Sequence, residues 1–134
     1  MLSAETAAGQ FPVEAATAMN RILIEVERDP HYRRMVSAAS PAPGDTAADA
    51  ITSSLSHITG VLPLAAVFTY TESGFSAFRA ARERPEAPLI GCTPHQETAR
   101  CLALVWGVHA VLSDEMNNVD EMVSNAIRLS LIHI

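Results

Sequence analysis

A chain of 134 residues, 49% apolar and 18% charged, has the length of one domain, or of one domain with an appendage, and enough apolar content for a core. Its nine basic residues are all Arg and stand against 15 acidic ones, for a net charge of −6. That excludes Schiff-base and Walker-type lysine chemistry and argues against a nucleic-acid surface. No run of about eighteen apolar residues is present, so no membrane span is expected. The start MLSAETAAGQ lacks the basic and long apolar regions of a signal peptide.

In chain order, Met1–Pro12 reads as a strand end, a small-residue loop and a helix start. Ser3, Glu5 and Thr6 would be polar groups at the top of that strand. Active-site groups stand there in a β/α barrel, although ordinary capping explains the same residues. Pro12–Glu27 predicts a helix with Val13, Ala16, Met19, Leu23 and Val26 as its apolar stripe, ending near Asp29-Pro30. Residues 37–44, SAASPAPG, read as a linker or surface crossing. Asp45–Gly60 predicts a helix capped by Asp45 or Thr46.

From there the pattern alternates. Ala65–Tyr70, Pro88–Thr93 and Val108–Leu112 read as strands. Ser73–Arg84, His95–Trp106 and Asn118–Ile132 read as helices. The first of these would turn Phe75, Phe78 and Ala81 to one side. The last would carry the stripe Val119, Met122, Val123, Ala126, Ile127 and Ser130. Strands alternating with helices across short joints predict an α/β fold, with a parallel sheet covered on both faces. Three strands make a small, unfinished sheet with open edges. The sequence therefore reads as a fragment, or as a chain that pairs with another, and Met1 is open to being an internal methionine.

The segment Thr69-Tyr70-Thr71-Glu72-Ser73-Gly74-Phe75-Ser76 follows a strand and opens a helix, where parallel sheets hold ligands. Thr71, Ser73 and Ser76 supply hydroxyls, and Gly74 lets a backbone approach closely, so the loop could cradle a phosphate. Ser73 as a plain cap and Gly74 as a turn residue explain the same letters. Arg79, Arg82 and Arg84 follow; they either face that phosphate or solvate the helix. His31, His57, His95, His109 and His133 show no metal-ligand spacing, and Trp106 reads as a packing anchor. Cys92 and Cys101 form neither a zinc nor a disulfide pattern and read as buried free thiols of a reducing compartment.

Two stretches resemble the pyruvate kinase family: MLSAETAAGQFPVEA, and the run from TYTESGFSAFRAARERPEAPLIGCT through PHQETARCLALVWGVHAVL. The resemblance covers about residues 1–128, with Trp106-Gly107-Val108 nearest to bacterial members. It implies that residues 1–28 end a (β/α)₈ barrel with its last helix, that 29–44 connect, and that 45–134 form most of a three-layer α/β/α C-terminal domain. It implies a cytoplasmic parent enzyme, often a homotetramer, that moves a phosphoryl group from phosphoenolpyruvate to ADP with Mg²⁺ and K⁺. The catalytic lysine and metal ligands of the family match nothing here, so this piece alone is expected to be inactive and to bind no metal. Ser3 and Glu5 match the nucleotide-side edge of the active site. Thr71, Ser73, Gly74 and Ser76 match the loop that holds a sugar-phosphate effector, in which Glu72 stands where responsive members often carry a basic residue. Leu129–Ile134 departs from the family pattern. A second reading is a stand-alone, non-catalytic α/β module that binds a phosphorylated metabolite. Neither reading calls for nucleic acid or a membrane.

Overall fold

The computed structural model describes residues 2–39, 42 and 44–133, the side chains of 132 and 133 excepted. Met1 of the expected strand end, Ser40, Pro41 and Pro43 of the expected linker, and Ile134 of the tail lie outside the described residues. The chain divides into two compact units, Met1–Ser40 and Pro41–Ile134.

The first unit is helical: α1 (Ala4–Ala7), α2 (Pro12–Arg28) and α3 (Pro30–Ala39). Residues 2–11 hold the single turn of α1 and no strand end. The turn forms because Thr6 and Ala7 donate their N–H groups to the Ser3 carbonyl, and the Glu5 carboxylate accepts the Ser3 N–H at 3.0 Å. Pro12 opens α2 at its first position, where a missing N–H costs nothing. The helix ends where Asp29 turns extended (ψ 128°), the conformation that a following proline imposes. Helix α3 is not anticipated by the sequence reading, which takes residues 29–44 as a connector. Pro30 both stops α2 and suits the first position of α3, while the Asp29 carboxylate caps the new helix by accepting the His31 N–H at 2.8 Å. The expected α2 stripe is largely open: no residue of the helix is buried, Met19 is half-buried, and Val13, Leu23 and Val26 are exposed.

The second unit runs α4 (Ala47–Val61), β1 (Val67–Tyr70), α5 (Phe75–Arg82), β2 (Leu89–Thr93), α6 (Gln96–Leu102), β3 (Val108–Leu112) and α7 (Val119–His133). The strands are parallel in the order β1-β2-β3, with Val67 beside Leu89 and Leu89 beside Val108. Side chains alternate across the sheet. One face gathers Leu89 and Val108 with Ala77, Ala80, Ala81 and Leu102 from α5 and α6. The other gathers Ile90 and Cys92 with Leu129 of α7, flanked by Phe68 and Tyr70. The three-layer α/β/α arrangement expected from the sequence is thus the one formed.

Three details depart from the expectation. Helix α5 turns its alanines inward and leaves Phe75 60% and Phe78 45% exposed. The space explains it: a Cβ on Gly91 would lie 3.1 Å from Leu102 Cδ1, 3.2 Å from Val108 Cγ1 and 3.6 Å from Ala77 Cβ. Only small residues fit between α5 and the central strand. Helix α6 closes at Leu102 rather than Trp106. Three-residue turns tighten its end, with Leu104 N–H on the Cys101 carbonyl and Val105 N–H on that of Leu102. Gly107, at φ +70°, then turns the chain into β3. Helix α7 is rotated from the expected stripe. Leu129 is buried, Met122, Asn125, Ala126 and Ser130 are half-buried, and Val119, Val123 and Ile127 are exposed. No helix among the described residues is long and apolar enough to cross a membrane.

Candidate functional site

Between β1 and α5 the chain makes a tight loop at the carboxyl end of the sheet. Thr71 N–H donates to the Cys92 carbonyl at 2.9 Å and fixes the loop to β2. The Thr71 hydroxyl oxygen accepts the Gly74 N–H at 2.9 Å, so the first of the expected hydroxyls shapes the turn. Gly74, not Ser73, takes the capping position, at φ +88°. That left-handed geometry favours glycine, and a Cβ there would press on Phe78, Thr98 and Leu102. Thr98 of α6 donates its hydroxyl to the Glu72 carbonyl at 2.8 Å. Sequence reasoning missed this second anchor, since nothing in the letters ties position 98 to position 72.

Ser73 and Ser76 are exposed, as is Glu72. The first N–H groups of α5 have no partner within the helix, and its dipole presents a partial positive charge there. The loop therefore combines two hydroxyls and a helix start that suit an anion with one carboxylate that opposes it.

Beside the loop, a cavity of ≈ 300 Å³ opens over the carboxyl ends of all three strands, lined by Tyr70, Thr71, Glu72, Cys92, Asp114 and Met122 among others. Tyr70 donates its hydroxyl to the Met122 carbonyl at 2.6 Å and ties β1 to α7. Burial pushes the Tyr70 phenol above its ordinary value and the Cys92 thiol up to about 11. Cys92 is therefore a protonated, packed thiol and not a nucleophile. Cys101, expected to be buried as well, is exposed, because it lies on the outer side of α6.

The arginines of α5 and its end are engaged with partners outside the loop. Arg79 reaches Asp49 at 3.4 Å, and its guanidinium carbon lies 4.4 Å from the Phe75 ring centroid. Arg82 pairs with the buried Glu83 at 3.0 Å. Arg84 lies over Trp106. Asp49 itself is buried, its carboxyl held below its ordinary value first by the Thr46 hydroxyl at 2.6 Å and then by Arg79. The Thr46-x-x-Asp49 spacing is a capping signal, and of the two caps expected from the sequence, Asp45 or Thr46, it is Thr46 that takes the position.

In the first unit, Ser3 and Glu5 are neighbours. Glu5 is exposed, and the backbone N–H groups of Glu5 and Ser3 hold its carboxyl below the ordinary value. Among the described residues no three His, Cys, Asp or Glu side chains converge as ligands for a metal ion.

Set against known proteins, residues 49–132 match the family model described as the pyruvate kinase α/β domain. A pyruvate kinase of Methylorubrum extorquens is 44% identical over 131 residues, 98% of this chain and 27% of that protein. One of Geobacillus stearothermophilus is 40% identical over 127 residues, 95% of this chain and 22% of that protein. A crystal structure of a pyruvate kinase from Cryptosporidium parvum superposes with a TM-score of 0.84 at 30% identity, covering 98% of this chain and 27% of the other. The chain thus spans about a quarter of the length of the relatives it matches.

Proposed function

The chain belongs to the pyruvate kinase family, and from that premise we propose that it serves as the C-terminal portion of an enzyme moving the phosphoryl group of phosphoenolpyruvate to ADP, giving pyruvate and ATP. One observation carries this reading above that of a stand-alone metabolite-binding module: the likeness spans both compact units, not the α/β unit alone. In this reading residues 1–28 end a β/α barrel, 29–44 connect, and 45–134 form the α/β domain. The exposed Val13, Leu23 and Val26 of α2 support it, since a helix closing a barrel needs such a face. Ser3 and Glu5 would sit at the nucleotide-side edge of the active site.

Phosphoryl transfer is driven by positioning and by neutralising the moving charge. This chain has no lysine, and the Mg²⁺ and K⁺ that the resemblance implies would be held by other parts of the whole enzyme. No step is therefore assigned to these residues. Their part is regulatory: Thr71 and Gly74 shape a loop in which Ser73, Ser76 and the start of α5 receive the phosphate of a sugar-phosphate effector. The whole enzyme would be a cytoplasmic homotetramer.

The experiment has two arms. The 134-residue chain should show no turnover dependent on phosphoenolpyruvate and ADP in a coupled assay. Joined in frame to the barrel of a bacterial relative in place of that relative's own segment, it should give such turnover. A folded but inactive chimera would overturn the reading.

A further inference from the structure

Resting on the phosphate reading of the Thr71–Ser76 loop, we infer that Arg79 is a latch with two partners, holding Asp49 at the start of α4 and turning to an anion at the start of α5 when one binds. Helical side chains lean toward their helix N-terminus. Arg79 follows this rule: its guanidinium carbon, 4.4 Å from the Phe75 ring centroid, lies beside the first residue of α5. Ser76 is three positions before Arg79 and so neighbours it on the helix surface.

The bonds that hold Arg79 in its present place are long. It meets Asp49 Oδ1 at 3.4 Å and Thr46 Oγ1 at 3.4 Å. Strong charge-assisted bonds are shorter, about 2.7–2.9 Å, and phosphate accepts the guanidinium fork through two oxygens at once. Arg82, the other arginine within α5, is already paired with Glu83. Arg79 is thus the cation of this helix best placed to change partner.

Its departure has a defined consequence. Asp49 is buried, and the first turn of α4 hangs on its reciprocal bonds with Thr46: the hydroxyl donates to the carboxylate at 2.6 Å and accepts the Asp49 N–H at 3.1 Å. Removing the cation takes from a buried carboxylate its ion-pair partner, leaving only the weaker field of Arg82, and loosens that turn. The boundary between the two compact units falls at Ser40–Pro41, a few residues before Thr46. The latch converts occupancy of the loop into slack in the helix start that follows this boundary.

The test uses the isotope-labelled 134-residue chain, with inorganic phosphate titrated against chloride at equal ionic strength. Phosphate should shift the amides of Ser73–Ser76 and speed exchange of the Asp49 amide by about tenfold. Arg79→Met should weaken phosphate binding about tenfold and leave the Asp49 amide fast throughout. Asp49→Asn removes the competing partner and should tighten phosphate binding several-fold, a gain that a merely structural ion pair would not produce. If Ser73–Ser76 respond while the Asp49 amide does not, or if Asp49→Asn leaves affinity unchanged, the latch is overturned and the loop reading stands. If Ser73–Ser76 do not respond at all, the loop reading falls and the latch with it.

Discussion

The Arg84 guanidinium lies over the Trp106 ring, its carbon 4.0 Å from the centroid, and Arg84 holds a left-handed backbone at φ +50°. These two facts oppose each other. The left-handed conformation costs a side-chain-bearing residue about 1–2 kcal/mol, while a cation over a partly exposed ring returns about 0.5–1 kcal/mol. Arg84→Ala loses the ring contact and keeps the strain, so urea denaturation should show a loss of about 0.5–1 kcal/mol. Arg84→Gly loses the contact and the strain together and should be within about 0.5 kcal/mol of the parent, or slightly above it. A glycine variant weaker than the alanine variant would mean that the strain is not felt.

Gly91 is a tightly packed point of the sheet face under α5 and α6. Gly91→Ala would press a methyl against Leu102 and Val108, both of them buried. Overpacking of this kind costs about 1–3 kcal/mol. Chemical denaturation of the variant should give a loss in that range with an unchanged denaturant slope.

The two thiols should separate cleanly. An aromatic disulfide reagent should titrate Cys101 at once and reach Cys92 only as the protein unfolds. Because folding raises the Cys92 value, the native state keeps a proton that the unfolded state gives up. Its contribution is complete below the ordinary thiol range and is lost as pH rises toward about 11. Stability measured from pH 8 upward should therefore fall, and the fall should be shallower in Cys92→Ser, apart from the overall cost of that substitution.

Glu72 opposes any phosphate at its loop. At about 5 Å two unit charges repel by roughly 0.8 kcal/mol in bulk water and about 3 kcal/mol at an effective dielectric near 20. Glu72 is exposed, which favours the lower figure. Glu72→Lys reverses the sign and should tighten a sugar bisphosphate by about tenfold in calorimetry, less at high salt. No change there, with none in Ser73→Ala, would remove the phosphate from this loop.

How far the letters carried the fold can be seen residue by residue. Pro12, Thr46 and the three apolar runs marked their elements, because capping and strand formation depend on near neighbours. Pro30 did not reveal α3, since one proline can stop one helix and start the next. Spacing sets Phe75 and Phe78 on one side of α5 with Ala81, yet the room beneath the helix is set by Gly91, on a strand that comes later in the chain. The loop Thr71–Ser76 was legible as a helix opening after a strand. Its anchor at Thr98 and the engagement of Arg79 with Asp49 were not, because both join positions far apart in sequence.

The Tyr70–Met122 bond also bears on the order in which the molecule assembles. It spans 52 residues, whereas neighbouring strands pair across about twenty. Closing the longer loop costs roughly 0.8 kcal/mol more chain entropy. Strands and their crossovers can therefore organise stepwise along the chain, and α7 settles onto the finished sheet last. By the same reasoning α7 is the first layer to lift when the molecule is stressed, taking with it the cover over Ile90 and Cys92.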